Sequence, residues 1–138
     1  VTVIDDYAHN PAKISALLTA LHQAEGRRVL AVYQPHGFTP TRHLKNELIE
    51  SFAAGLNPAD MLIMPQIYYA GGTVSKNISS NDIVTAVAGK GRQAAYYENR
   101  AEIPAVVSKL ARSGDIVAVM GARDATLAEF AAQILAAL

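Results

Sequence analysis

Short apolar runs separated by segments of helical spacing constrain this chain more than any other feature. Runs rich in β-branched, aliphatic or aromatic residues fall at Val1 to Ile4, Arg28 to Tyr33, Met61 to Met64, Gln93 to Tyr97 and Ile116 to Met120. Most are near-continuously apolar, as in strands that hide both faces in a parallel sheet; a half-exposed antiparallel strand would alternate. The first intervening segment carries Ile14, Leu17, Leu18 and Leu21 on one side of a helix from Pro11 to Ala24, with Pro11 suited to its first turn and Gly26 to its end. Further helices are expected over Thr41 to Ala54, Ser80 to Ala88 with Ser79 or Ser80 as cap, Ala101 to Arg112, and Asp124 to Leu138. Five strands alternating with five helices imply right-handed βαβ crossovers. The expected fold is α/β: a Rossmann-like, doubly wound, mostly parallel sheet with helices on both faces.

Size and charge narrow the function classes. A chain of 138 residues buries about two thirds of its unfolded surface and needs no staples. The absence of cysteine excludes disulfides and thiolate chemistry and fits a reducing cytoplasm. Twelve basic residues balance twelve acidic ones, which disfavours a nucleic-acid groove, and no stretch approaches the length of a membrane span. With no repeat or linker, residues 1–138 read as a single domain. Val1 opens directly in a strand-like run without an initiator Met, so the chain reads as a fragment of a longer one.

In an open parallel sheet the ligand crevice lies beyond the carboxyl ends of the strands. The loops there hold His9, His36 and His43, whereas His22 sits mid-helix and is expected to be an ordinary surface or edge residue. The first loop, Asp5-Asp6-Tyr7-Ala8-His9-Asn10-Pro11, places carboxylates, a phenol, an imidazole and an amide between a strand and a helix start. A carboxylate there can accept from a ribose diol, and a histidine near a helix N-terminus can meet phosphate oxygens. The same chemistry allows Asp6 and Asn10 simply to cap the turn and the helix. Gly89-Lys90-Gly91 precedes a strand and reads as a helix stop, not a phosphate loop.

Asp6-Tyr7-Ala8-His9-Asn10-Pro11 resembles the Asp-x-Ala-His-Asn-Pro signature of the C-terminal domain of the Mur ligase superfamily. Gln34-Pro35-His36 with Thr39, Thr41 and Arg42, then Tyr69-Ala70-Gly71-Gly72, Gly114-Asp115-Ile116 and Gly121-Ala122, resembles most the branch of UDP-N-acetylmuramate–L-alanine ligases. The resemblance implies the nucleotide-capping, acceptor-binding domain of an ATP-dependent amide ligase of peptidoglycan precursor synthesis. Such an enzyme activates a carboxylate as an acyl phosphate for attack by an amine. It implies ATP, with Mg2+ on its phosphates held mainly by a central domain, a UDP-N-acetylmuramate-type substrate and an amino acid or peptide acceptor. Carried over by position, Asp6, His9 and Asn10 would meet the nucleotide, with His9 near the reacting centre. Tyr7, His36 and Arg42 would border the acceptor.

The second loop departs from that pattern. Gly37 and Pro40 stand where the alanine-adding branch has two arginines, the residues best suited to grip an α-carboxylate. Arg123, where the branch usually has glycine, and Arg100 after the fourth strand are either candidates for a replacement charge or surface arginines paired with a neighbouring acid. Tyr68 and Tyr69 are expected either on a flap over a base or sugar or against a neighbouring domain. Two other readings stay open: a murein peptide-recycling or other Mur-type ligase with a different acceptor, and a non-catalytic Rossmann-like nucleotide- or partner-binding module. A flavodoxin-like or response-regulator domain would need a lysine after the fifth strand, where Gly121-Ala122-Arg123 stands. The fragment alone is expected to be inactive.

Overall fold

In a computed structural model, which describes residues 1–25, 27–69, 71 and 75–138, the strands are Thr2–Asp6 (β1), Val29–Tyr33 (β2), Met61–Pro65 (β3), Gln93–Tyr97 (β4) and Ile116–Met120 (β5). All pair in parallel, in the order β1-β5-β2-β3-β4. The three interior strands are almost entirely buried, as their unbroken apolar sequences require. The edge strands differ: β1 ends in Asp5-Asp6 and β4 reads Gln-Ala-Ala-Tyr-Tyr, and both are part-exposed.

The helices are Pro11–Glu25 (α1), Phe38–Gly55 (α2), Ser80–Gly89 (α3), Ile103–Leu110 (α4) and Leu127–Ala137 (α5). The path runs outward from β1 through β2 and β3 to β4, then turns back to insert β5 between β1 and β2. Right-handed crossovers therefore put the outward helices on one face and the returning ones on the other. The packing agrees. Ile14, Leu18, Phe52, Ile83 and Val87 of α1, α2 and α3 share one core layer; Ile103, Val107, Phe130 and Ile134 of α4 and α5 form the other.

Several boundaries move for local reasons. Helix α2 begins at Phe38, not Thr41: Gly37 at φ 78° turns the chain into it, and Pro40 falls in the first turn, where a missing N–H costs nothing. Ser79, not Ser80, caps α3 through a reciprocal box with Asp82. A 3-10 turn at Arg100–Glu102 replaces the first residues expected of α4. Helix α5 starts at Leu127 because Asp124 is tied into the loop before it. Gly26, the expected helix stop, lies outside the described residues.

The amino ends of the strands are pinned by buried carboxylates. Asp115 accepts from Arg28 Nη2 at 2.6 Å and from the Arg112 amide at 2.7 Å. Burial pushes its carboxyl up, but the Arg28 and Arg112 hydrogen bonds outweigh this and leave it below the usual carboxylate value. Asp60, 1% exposed, takes the Val29 and Asn57 amides and His22 Nε2, each at 2.7 Å. His22 is thus not an ordinary surface residue: it completes the shell of a buried aspartate that joins α1 to β2.

Candidate functional site

β5 has β1 on one side and β2 on the other, and their following helices lie on the face opposite to α5. Loops leaving this switch point diverge and open a crevice. Asp6 and Tyr33 both register with Met120, so the loops after β1, β2 and β5 leave the sheet at one level. They enclose a cleft of about 180 Å³, lined by His9, Tyr33, Gln34, His36, Pro40, Thr41, Leu44, Leu48, Ala122 and Arg123.

The first loop is built by its own polar side chains. Asp6 Oδ1 accepts from the Ala8 amide at 2.8 Å, and Asn10 Oδ1 accepts from the Lys13 amide at 2.9 Å, so both residues do cap the loop and α1. His9 Nδ1 lies 3.0 Å from the Tyr7 carbonyl oxygen. A carbonyl only accepts, so Nδ1 carries the proton and, in the neutral ring, Nε2 carries the lone pair. The Tyr33 hydroxyl donates to the His9 carbonyl at 3.0 Å, and burial holds this phenol well above its usual titration range. Tyr7 is 63% exposed and stands edge-on to His9; it borders a neighbouring hollow with Asp5, Asp6 and Gly121, not the cleft itself.

The second loop is clamped to the third. His36 pairs by backbone bridge with Tyr68, their rings lie 5.6 Å apart, and the Gly37 amide donates to the Tyr68 carbonyl at 2.8 Å. Tyr69 meets Phe38 edge-on. Both tyrosines therefore pack against the second loop and the start of α2 rather than standing out as a flap; Ala70 and Gly72 of the same motif lie outside the described residues. A Cβ at Gly37 would come within 3.1 Å of the Pro40 ring, so these two departures form one local structure. Arg42 donates to Asn77 Oδ1 at 2.8 Å and is not part of the cleft lining; His43 is exposed on α2.

The network behind the cleft was not legible in the sequence. Arg100 Nη1 lies 2.5 Å from Asp124 Oδ2 and 3.2 Å from Gln34 Oε1, Nη2 donates to Thr126 Oγ1, and its guanidinium covers the Phe130 ring. Asp124 also accepts from the Thr126 amide and hydroxyl. Burial raises the Asp124 carboxyl, yet the bonds from Thr126 and Arg100 win and hold it below the usual value. Arg100 is thus a paired structural residue, not a free charge over the crevice. The one local signal that could have pointed here is Gln34, a polar residue directly after a wholly apolar strand. Arg123 differs: among the described residues its guanidinium makes no ion pair or hydrogen bond, and its backbone sits at φ 58°.

The model of the family described as Mur ligase, glutamate ligase domain, matches residues 1–123. The chain is 40% identical over 127 residues to UDP-N-acetylmuramate–L-alanine ligase of Mesorhizobium japonicum, covering 91% of this chain but 26% of that protein. Among solved structures, UDP-N-acetylmuramate-alanine ligase from Thermotoga maritima matches with TM-score 0.70 at 22% identity, over 97% of this chain and 26% of that one. A murein peptide ligase from Psychrobacter arcticus gives 0.71 at 16% identity, over 98% and 27%. These structural likenesses bear on the fold, which they share.

Proposed function

Because the chain belongs to the Mur ligase family, in the part described as its glutamate ligase domain, we propose that it is the nucleotide-capping and acceptor-binding domain of a longer ATP-dependent amide ligase. The reading of its substrates is a UDP-N-acetylmuramate-type carboxylate and an amino acid amine, joined in the cytoplasm during peptidoglycan precursor synthesis. One observation carries it: His9, His36 and Arg123 meet on one cleft at the switch point of a sheet of this family.

The hollow beside Asp6 fits a nucleoside. It is floored by Gly121 and Ala122, and Asp6 commits one carboxylate oxygen to the Ala8 amide, leaving the other to accept from a ribose hydroxyl. When bound, ATP supplies the phosphoryl group that activates the substrate carboxylate. Among the described residues no three His, Asp or Glu side chains converge to hold a metal ion.

The remaining chemistry belongs to the cleft. Tyr33 and the Tyr7 carbonyl hold the His9 backbone and ring, leaving Nε2 of the neutral imidazole to take the proton that an acceptor ammonium must lose before it attacks. His36, fixed by Tyr68, borders the acceptor. The absence of arginine at positions 37 and 40 favours a second reading, in which the acceptor is a short peptide.

The test is ATP-dependent phosphate release by the complete protein, supplied with the UDP-sugar and a panel of amino acids and peptides. Amide formation with one acceptor class, and a 10²- to 10⁴-fold loss of kcat in His9→Ala, is expected. No acceptor-dependent release would end the ligase reading.

A further inference from the structure

Arg123 is in an unusual state for its residue type. Non-glycine residues in the left-handed region are strained and persist only where the surroundings fix them. Here they do: Ala122 and Asp124 on either side are 6% and 7% exposed, and Asp124 is held by Arg100 and Thr126. The chain thereby presents an unpaired guanidinium on the ridge between the cleft and the hollow beside Asp6. Pro40, Leu44 and Leu48 line the same cleft, with Leu44 and Leu48 one turn apart on α2. Those groups match a small molecule with an anionic end and an aliphatic body.

We propose that Arg123 receives the acceptor's carboxylate and that the Pro40, Leu44 and Leu48 wall takes its side chain, so that the acceptor is a free α-amino acid with an aliphatic side chain larger than methyl. This rests on the ligase reading above. The charge that the second loop lacks is supplied from the loop after β5, and the space left by Gly37 and Pro40 is occupied by the helix start that brings Leu44 and Leu48 to the cleft. A cleft of about 180 Å³ is larger than the cavity of about 150 Å³ that accepts benzene, which leaves room for a whole amino acid with a branched aliphatic side chain.

The experiment measures phosphate release by the complete protein with glycine, alanine, valine and leucine and with their carboxamides. Acceptor efficiency is expected to rise about fourfold per added methylene up to valine or leucine. Carboxamides should fall at least about tenfold behind the free acids. Arg123→Gly should raise acceptor KM about tenfold or more and erase the difference between acid and amide; Arg123→Lys should restore part of the loss. Glycine suits the left-handed backbone, so Arg123→Gly keeps the fold, which a thermal melt verifies. A preference for alanine or a peptide, an unchanged acceptor KM, or an effect on ATP alone overturns the assignment. No release with any acceptor in the unaltered protein overturns the ligase reading and this inference together, whereas normal release with an unaffected variant overturns only the inference.

Discussion

Replacing Asp124 by asparagine tests the network that fixes the loop after β5. The carboxylate is fully buried while Arg100 keeps 25% of its side chain exposed. Asparagine can still accept from Thr126 through its oxygen, but its amide nitrogen then faces Arg100 Nη1, donor against donor. The charge-assisted pair is broken, which costs about 3–5 kcal/mol where both partners are buried, and Arg100 keeps Gln34 and Thr126. Partial exposure of Arg100 lets water replace some of the loss, so the expected cost is about 2–3 kcal/mol. With an unfolding entropy of about 0.29 kcal/mol/K for a chain of 138 residues, that lowers Tm by about 7–10 °C. The depressed folded-state carboxyl sets the pH dependence. Its contribution is complete above the unfolded value of 3.8 and is lost as pH falls from there through the folded pKa. Melts followed by circular dichroism should therefore show the full gap between wild type and Asp124→Asn at pH 7 and a narrowing gap below about pH 4. A drop of less than about 2 °C at pH 7, or a gap that persists in acid, would refute the argument.

Other perturbations probe separate links. Gly121→Ala places a Cβ 2.9 Å from the Gln34 carbonyl oxygen and 2.9 Å from Leu127 Cδ2, and should cost about 1–3 kcal/mol in urea unfolding. Tyr33→Phe removes the hydroxyl that donates to the His9 carbonyl; a loss of about 1 kcal/mol in stability and a fall in kcat of the complete protein are expected. Asp115→Asn breaks the pair with Arg28, and calorimetry should find it destabilised by about 3 kcal/mol at pH 7, with wild type converging on it below the unfolded carboxyl value.

What the sequence made legible is what local pattern controls. Interior strands such as Ile116–Met120 are apolar because both faces are covered, and the run alone announces this. Edge strands are less plain: β1 continues through Asp5 and Asp6 because its outer side meets water, so two carboxylates extend a strand that the apolar run had ended at Ile4. The start of α2 was hidden because Gly37 and Pro40 read as loop residues until the left-handed turn at Gly37 is known. Partners distant along the chain left no local trace: His22 and Asp60 are 38 residues apart, Arg100 and Asp124 are 24. In the site, the first loop fixed where to look, whereas Leu44 and Leu48 came to the cleft only through the packing of α2.

The acceptor is proposed to sit in the cleft at the ends of β1, β2 and β5. Backbone amide NMR of this chain, titrated with the acceptor selected by the phosphate-release panel, measures that directly. Shifts concentrated at His9, His36, Ala122 and Arg123, and absent in Arg123→Gly, are the expected result. Shifts confined to the opening around Lys76, Ser79 and Glu98, with none at the cleft, would contradict the account.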